Sequence, residues 1–329
     1  MPKKIIVVTK KTSYSKYIQD QDDDGSKELL LNANPAVAFW QSSHDTHMKT
    51  LDVVVKSLQS LNVVCHVIDS KSFVAEPDDI EMVITVGGDG TLLSASHNVS
   101  GKLPILGVNS DPDNSIGFFC YTTAQTFLNH LTQALNGTCA ITELTRMSVT
   151  KNGKFVANRI LNDVLFCHTN PAATSKYILQ LMERRSLTPN SVSAMSMENV
   201  ARKGNELFRI RSLPLSMQEA QRSSGIWVGP SAGSTAARRS AGATPMDLAS
   251  KDLQLCVREL YHRPSSKPGL RELVAKPGQF IKVISKMDSS AMYLDGDYSV
   301  VPVGLGDEIN FEKSEDTLSL LGKPNVFCG

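Results

Sequence analysis

The stretch Glu81-Met-Val-Ile-Thr-Val-Gly-Gly-Asp-Gly-Thr-Leu-Leu-Ser-Ala-Ser-His97 restricts this chain more than any other. Met82 to Val86 is a short, largely β-branched apolar run, the pattern of a strand buried in a parallel sheet. Gly87, Gly88, Asp89 and Gly90 break it. Thr91 to His97 then reads as the first turns of a helix, with Thr91 as the expected N-cap. A strand, a glycine-rich turn and a helix N-terminus together make a place for phosphate. Glycines let backbone N–H groups approach phosphate oxygens, and the helix end adds partial positive charge. Asp89, in the middle, is the informative residue. A carboxylate among phosphate-binding groups is unfavourable unless it holds a metal or takes a proton from an attacking hydroxyl. Asp-Gly alone is an ordinary turn, but Gly-Gly-Asp-Gly-Thr behind an apolar strand is far more specific. No Gly-Lys-Ser/Thr follows, so this is not the Walker loop.

The N-terminal part around this turn reads as an open parallel sheet with helices. Ile5 to Val8, Val63 to Ile68 and Leu103 to Ser110 are further strands. Phe39 to Leu58 carries Met48, Leu51, Val54, Val55 and Leu58 at helical spacing. Thr123 to Leu135 does the same with Phe127, Leu128, Leu131 and Leu135, and ends at Asn136-Gly137, a C-cap. Ligands of open α/β sheets gather at the carboxyl ends of the strands. Asn109 and Asp111 are therefore candidates to face the same crevice as Asp89, against the alternative of a turn whose Asn and Asp side chains bond locally. The acidic run Asp20 to Gly25 reads as a solvated loop, and His44 and His47 as a solvated helix face rather than a metal pair.

From Thr138 onward the character changes to short alternating segments separated by turn residues: Ile141 to Val149, Lys154 to Ile160, Tyr177 to Met182, Leu207 to Ile210, Gly225 to Val228, Phe280 to Ile284, Met292 to Leu294 and Glu308 to Phe311. The expectation is an α/β domain over 1–137 and a β-rich domain over 138–329. Residues 186–205 are polar and weakly patterned, a long loop or insertion. Three stretches of this second part stand out. Asn162 and Asp163 sit inside an apolar segment, where polar residues must find partners; an Asp carboxylate suits a pair of ribose hydroxyls, while an Asn-Asp turn is the plainer reading. The small-residue turn Gly229-Pro-Ser-Ala-Gly-Ser-Thr-Ala236 follows a strand and leads to a helix opening near Ser234-Thr235, with hydroxyls able to orient a planar ligand. Arg238 and Arg239 beyond it are phosphate candidates, at least one of them better read as a solvated helix face. Asp295-Gly296 is most simply a tight hairpin turn.

Taken in order, these stretches resemble the NAD kinase family: Gly-Gly-Asp-Gly-Thr at 87–91, Asn162-Asp163, Gly-Ser-Thr-Ala at 233–236, and a late Asp-Gly at 295–296. The likeness is strongest to the plant NADH kinase branch, through Gly-Val-Asn-Ser-Asp-Pro (107–112), Arg-Ser-Ser-Gly (222–225), Ala-Gly-Ser-Thr-Ala-Ala (232–237) and Leu253 to Glu259. Ala237 stands where many members have Tyr. The resemblance spans roughly 47–311 and implies an α/β domain plus a β-rich domain. It implies transfer of the γ-phosphoryl group of ATP to the 2′-hydroxyl of the adenosine ribose of NAD or NADH. Asp89 would be the base, and Gly87, Gly88, Gly90 and Thr91 would line the phosphate site. Asn162, Asp163, Ser234, Thr235 and Ala236 would hold the dinucleotide, with Asn109, Asp111, Arg238 and Asp295 as further candidates. Mg²⁺ or another divalent cation would act through the phosphates without protein ligands, and a homodimer or tetramer is implied. The first motif alone is shared with diacylglycerol-type lipid kinases. A lipid kinase, or a catalytically silent dinucleotide-binding protein, are the alternatives.

Size and composition agree with a two-domain chain and exclude little else. With 329 residues, 41% apolar content and a net charge of +1, nothing in the overall electrostatics points to nucleic acid or a membrane surface. Six cysteines without a Cys-x-x-Cys pair read as reduced thiols, hence a cytoplasmic expectation. Met-Pro-Lys-Lys-Ile-Ile-Val-Val reads as a first strand rather than a signal peptide, and no run is long enough for a membrane span.

Overall fold

The computed structural model describes residues 4–74, 79–186, 200–203, 206–212, 218–261, 269–296 and 298–324. The chain forms two compact units: Met1–Glu143 with Leu318–Gly329, and Leu144–Thr317.

The first unit is an α/β layer structure. Strands β1 (Lys4–Thr9), β2 (Val64–Asp69), β3 (Met82–Gly87) and β4 (Ile105–Asn109) pair in parallel in the order β2-β1-β3-β4. All six residues of β3 are buried, as its unbroken apolar run requires in the middle of a parallel sheet. A two-residue strand, β5 (Thr122–Thr123), pairs with β4. On the far side of β4 the sheet continues through a strand at Leu318–Leu321 to β6 (Ile141–Leu144). Helices α1 (Asp24–Leu31), α2 (Trp40–Ser60), α3 (Asp89–Ser96) and α4 (Phe127–Leu135) complete the unit. Its core joins Ile5, Val7, Ile84, Val86, Leu106 and Val108 of the sheet to Val54 and Leu58 of α2 and Phe127 and Leu131 of α4. Each such side chain contributes about 1.5–3 kcal/mol by leaving water.

Several local expectations are corrected. The N-cap of α3 is Gly88, not Thr91: the Gly88 carbonyl accepts from Thr91 N–H at 3.1 Å and Leu92 N–H at 3.3 Å, so Asp89 opens the helix. The buried face of α2 is His47, Thr50, Val54 and Leu58, while Met48 is exposed. The polar pair turns inward because it bonds to the sheet end, and the apolar pattern alone could not report that. The acidic run is only partly loop. Ser15–Asp20 forms a π-type turn, and Asp23 caps α1 by accepting Ser26 N–H at 2.8 Å, while Asp20 and Asp22 pair with Lys11 and Lys27.

The second unit is built of strands. One sheet contains β7 (Met147–Lys151), β8 (Lys154–Ile160), β10 (Ser175–Ser186), β11 (Val200–Lys203), β12 (Glu206–Ser212), β13 (Gln218–Ser223), β17 (Gln279–Ser285) and β20 (Glu308–Lys313). The other contains β9 (Val164–His168), β14 (Ile226–Pro230), β15 (Leu253–Val257), β16 (Glu272–Ala275), β18 (Ser290–Leu294) and β19 (Ser299–Val303), in the order β16-β15-β14-β9-β18-β19. Their facing side chains, among them Val149, Phe166, Tyr177, Val228, Val283, Met292 and Phe311, form one shared core. The single strand expected over 141–149 is two strands in different sheets, because the chain passes there from one unit to the other. Of the insertion expected over 186–205, residues 187–199 and 204–205 lie outside the described residues. Among the described residues no helix is long and apolar enough to cross a membrane.

Candidate active site

In the first unit the polar groups gather at the carboxyl ends of β1, β3 and β4. Asp89 is half-buried at the first position of α3, where a carboxylate is favoured by the helix dipole. Its two oxygens are held by backbone donors: Phe118 N–H to Oδ2 at 2.9 Å and Phe119 N–H to Oδ1 at 2.8 Å. The loop after β4 supplies these donors. Asn109 donates from Nδ2 to the Ser115 carbonyl at 2.9 Å and accepts Asp111 N–H at Oδ1, 3.1 Å. Asp111, also buried, accepts from Ser43 Oγ at 2.8 Å and Asn114 Nδ2 at 2.9 Å. These two candidates therefore spend their polar atoms building the loop that delivers Phe118 and Phe119 to Asp89. Gly117, just before that pair, has φ of +61° and no room for a Cβ beside Asn109.

The four residues flanking Asp89 differ in kind. A Cβ on Gly87 would overlap the Thr91 side chain, so Gly87 and buried Thr91 are a packing pair. A Cβ on Gly88 would come within 2.9 Å of Ser115 Oγ. At exposed Gly90 a Cβ would meet nothing within 4 Å. Open space above a helix N-terminus is where an incoming phosphate would approach.

His47, expected on a solvated helix face, is instead buried here. Its ring spans from Thr9 Oγ1 at the end of β1 (Nε2, 3.0 Å) to Ser110 Oγ beyond β4 (Nδ1, 3.0 Å). Burial, with Lys10 nearby, pushes its pKa down to about 4, so the ring is neutral at pH 7. Among the described residues no group of three or more His, Cys, Asp or Glu side chains is placed to hold a metal ion.

In the second unit the Leu161–Asp163 turn precedes β9 and lies between the ends of its two neighbours. Register sets Leu294 of β18 and Val228 of β14 both opposite Val164. Asp295, one residue past β18, thus meets the turn from one side. Its carboxylate accepts Leu161 N–H at 3.0 Å, Asn162 N–H at 2.8 Å and Asp163 N–H at 2.9 Å, while its own N–H donates to the Asp163 carbonyl at 2.8 Å. Asp295 (φ +44°) and Gly296 (φ +79°) both take left-handed backbone in the longer connection between β18 and β19, and the carboxylate adds a cap that the turn pattern did not reveal.

From the other side come Gly229 and Gly233. A Cβ on either would overlap the Asn162 carbonyl oxygen, so two backbones touch there. Ser231–Gly233 is a single 3₁₀ turn, and the helix expected near Ser234-Thr235 is the short α5 (Ala237–Ser240). Buried Ser234 accepts Met246 N–H on its hydroxyl at 3.0 Å, whereas Thr235 and Ala236 are exposed. Arg238 is corrected from a phosphate candidate to a buried residue whose guanidinium is surrounded by carbonyl groups, and Arg239 is on the solvent face. Asp163 is buried, and its Oδ2 has no partner. Desolvation pushes its pKa up to about 7; Arg238 opposes that shift and Asp295 adds to it.

A parallel sheet ending in a glycine turn with a first-turn carboxylate, joined to a two-sheet β unit, defines a nucleotide-phosphate class of fold. Residues 29–139 match the model of the ATP-NAD kinase N-terminal domain. A probable NADH kinase of Oryza sativa subsp. japonica is 31% identical over 314 residues, covering 90% of this chain and 88% of the relative. An NADH kinase of Arabidopsis thaliana is 33% identical over 261 residues, covering 74% and 73%. The crystal structure of yeast NADH kinase complexed with NADH superposes with a TM-score of 0.63 at 14% identity, over 98% of this chain and 84% of that one, a likeness of fold. This chain belongs to the NAD kinase family.

Proposed function

We propose that this chain is an ATP-dependent NAD(H) kinase that phosphorylates the 2′-hydroxyl of the adenosine ribose to give NADP(H). The observation that carries the reading is Asp89, a half-buried carboxylate at the N-terminus of α3, held by two backbone N–H groups beside open space at Gly90. The 2′ oxygen forms a bond to the γ-phosphorus, the bond from that phosphorus to the β–γ bridging oxygen breaks, and ADP leaves. Asp89 accepts the hydroxyl proton, and the first N–H groups of α3 receive phosphate oxygens. A divalent cation, normally Mg²⁺, would offset charge on the phosphates and would be held through them. The ATP-NAD kinase model match supports ATP as the donor.

Asn162 and Asp163 hold the dinucleotide in this reading. Their backbone is already engaged by Asp295, which leaves their side chains for ligand, and Asp163 Oδ2 has no other partner. Two ribose hydroxyls donating to Asp163 favour its ionised form and offset the burial that raises its pKa. Ser234 supports the turn through its hydroxyl, so the adenine side is met by exposed Thr235 and Ala236. The names of the two plant relatives support NADH as an acceptor. A cytoplasmic homo-oligomer, dimer or tetramer, completes the proposal. The lipid-kinase and silent-binder alternatives are not favoured by any observation in the fold.

The test is a coupled assay for NADP(H) with ATP and Mg²⁺, with NAD and NADH in parallel. Product from either supports the reading; ATP hydrolysis or lipid phosphorylation without dinucleotide product refutes it. Asp89→Asn should lower kcat by about 10²–10⁴-fold while NADH still binds. Unchanged turnover would remove Asp89 from the role of base.

A further inference from the structure

The two dinucleotide-holding turns of the second unit are distant in sequence, at 161–163 and 229–236, yet one side chain touches both. Arg238 is fully buried. Its Nη1 donates to the Gly229 carbonyl at 2.6 Å and to the main-chain and side-chain oxygens of Gln254, each at 3.3 Å. Its Nη2 donates to the Pro230 carbonyl and to the Asn162 carbonyl at 3.4 Å. Gln254 is itself fixed, donating from Nε2 to the Thr244 carbonyl and to Glu272 Oε1, both at 2.7 Å. A planar guanidinium suits this task because it presents several donors in one rigid fork and stays charged at pH 7 even where burial lowers its pKa to about 10.

We propose that Arg238 is a positioning residue for dinucleotide binding, whose buried guanidinium locks the Asn162–Asp163 turn to the Gly229–Gly233 turn. This rests on the kinase reading above. Asp295 takes up the N–H groups of the first turn, and Arg238 takes up the Asn162 carbonyl. With its three N–H groups and the Asn162 and Asp163 carbonyls held from two sides, the turn presents its side chains to a ligand. The same guanidinium holds the two carbonyls that lead into Gly233, where contact with the Asn162 oxygen leaves no room for a Cβ. A shift of either turn therefore breaks bonds of the other. Burying a cation is costly, and here Nε has no partner; a buried cation serving two strand ends at once is better explained by positioning than by stability.

The experiment compares wild type, Arg238→Met and Arg238→Lys in steady-state kinetics with NADH and ATP varied separately, beside direct titration of NADH binding. In Arg238→Met, KM and Kd for NADH should rise about tenfold or more, with kcat and KM for ATP within about threefold of wild type. Arg238→Lys should recover part of the affinity, since a point charge replaces the fork. A merely structural role would lower the active fraction, and so apparent kcat, with KM for NADH unchanged; that result overturns the proposal. Hydrogen exchange on the wild type keeps the test open if neither variant folds. The amides of 161–163 and 229–236 should gain protection together as NADH is added, and independent protection overturns the proposal. Wild type that neither binds NADH nor yields NADPH refutes the kinase reading instead. That signature differs from an active wild type whose Arg238→Met keeps the wild-type KM.

Discussion

Asparagine at position 295 would keep the shape of the aspartate and remove its second acceptor. Asn tolerates the left-handed backbone as well as Asp does, so the φ of +44° adds no penalty and the substitution isolates the carboxylate. In the wild type one oxygen accepts Leu161 N–H and the other accepts Asn162 and Asp163 N–H. In Asp295→Asn the amide oxygen best serves the latter two, and the NH₂ group then faces Leu161 N–H, donor against donor. An orphaned, largely buried donor costs about 1–3 kcal/mol, and losing charge assistance on the two remaining bonds costs about 1 kcal/mol each. Relief of the repulsion between Asp295 and Asp163, and water at half-buried Asp295, return part of this. The expected net loss is about 2–4 kcal/mol. Urea unfolding followed by Trp227 fluorescence, in a Trp40→Phe background so that β14 alone reports, measures it. Affinity for NADH should fall in parallel as the 161–163 turn loosens. An unfolding free energy within about 0.5 kcal/mol of the parent would refute the capping argument.

The glycines of the phosphate turn should separate by function. Gly87→Ala overlaps Thr91 and should cost about 1–3 kcal/mol of stability, read as a fall in the denaturation midpoint. Gly90→Ala meets open space and should leave stability within about 0.5 kcal/mol while raising KM for ATP about tenfold; an unaffected KM would place the phosphates elsewhere. His47 sets an acid limb. Its pKa is 6.5 unfolded and about 4 folded, so between those values the unfolded chain binds more protons and stability falls as pH falls. The contribution is fully present above pH 6.5 and is lost on acidifying through pH 4, about 3 kcal/mol in all. Urea midpoints from pH 4 to 7 should show a shallower limb in His47→Gln, and an identical limb would remove His47 from this role.

Much of the first unit was legible because its signals are local. β3 and the glycine turn, β1 and β4, the Asn136-Gly137 end of α4 and the Asp295-Gly296 hairpin follow from runs and turn chemistry a few residues long. The order of the motifs along the chain pointed to the family for the same reason. What the sequence could not disclose is which distant group each polar atom meets. Neither the Phe118 and Phe119 amides on Asp89, the span of His47 from β1 to the β4 end, nor the inward turn of Arg238 leaves a periodic trace, since each depends on strand order and register. Val228 and Leu294 both stand opposite Val164 only once β14 and β18 flank β9, and that pairing makes Asp295 a cap and Arg238 a tie. Adjacent residues dictate the backbone geometry of a phosphate-type turn, so the chain alone shows where that turn and a candidate base lie. Which polar side chains remain for a ligand follows from packing, because hydrogen-bond partners come from segments more than a hundred residues apart.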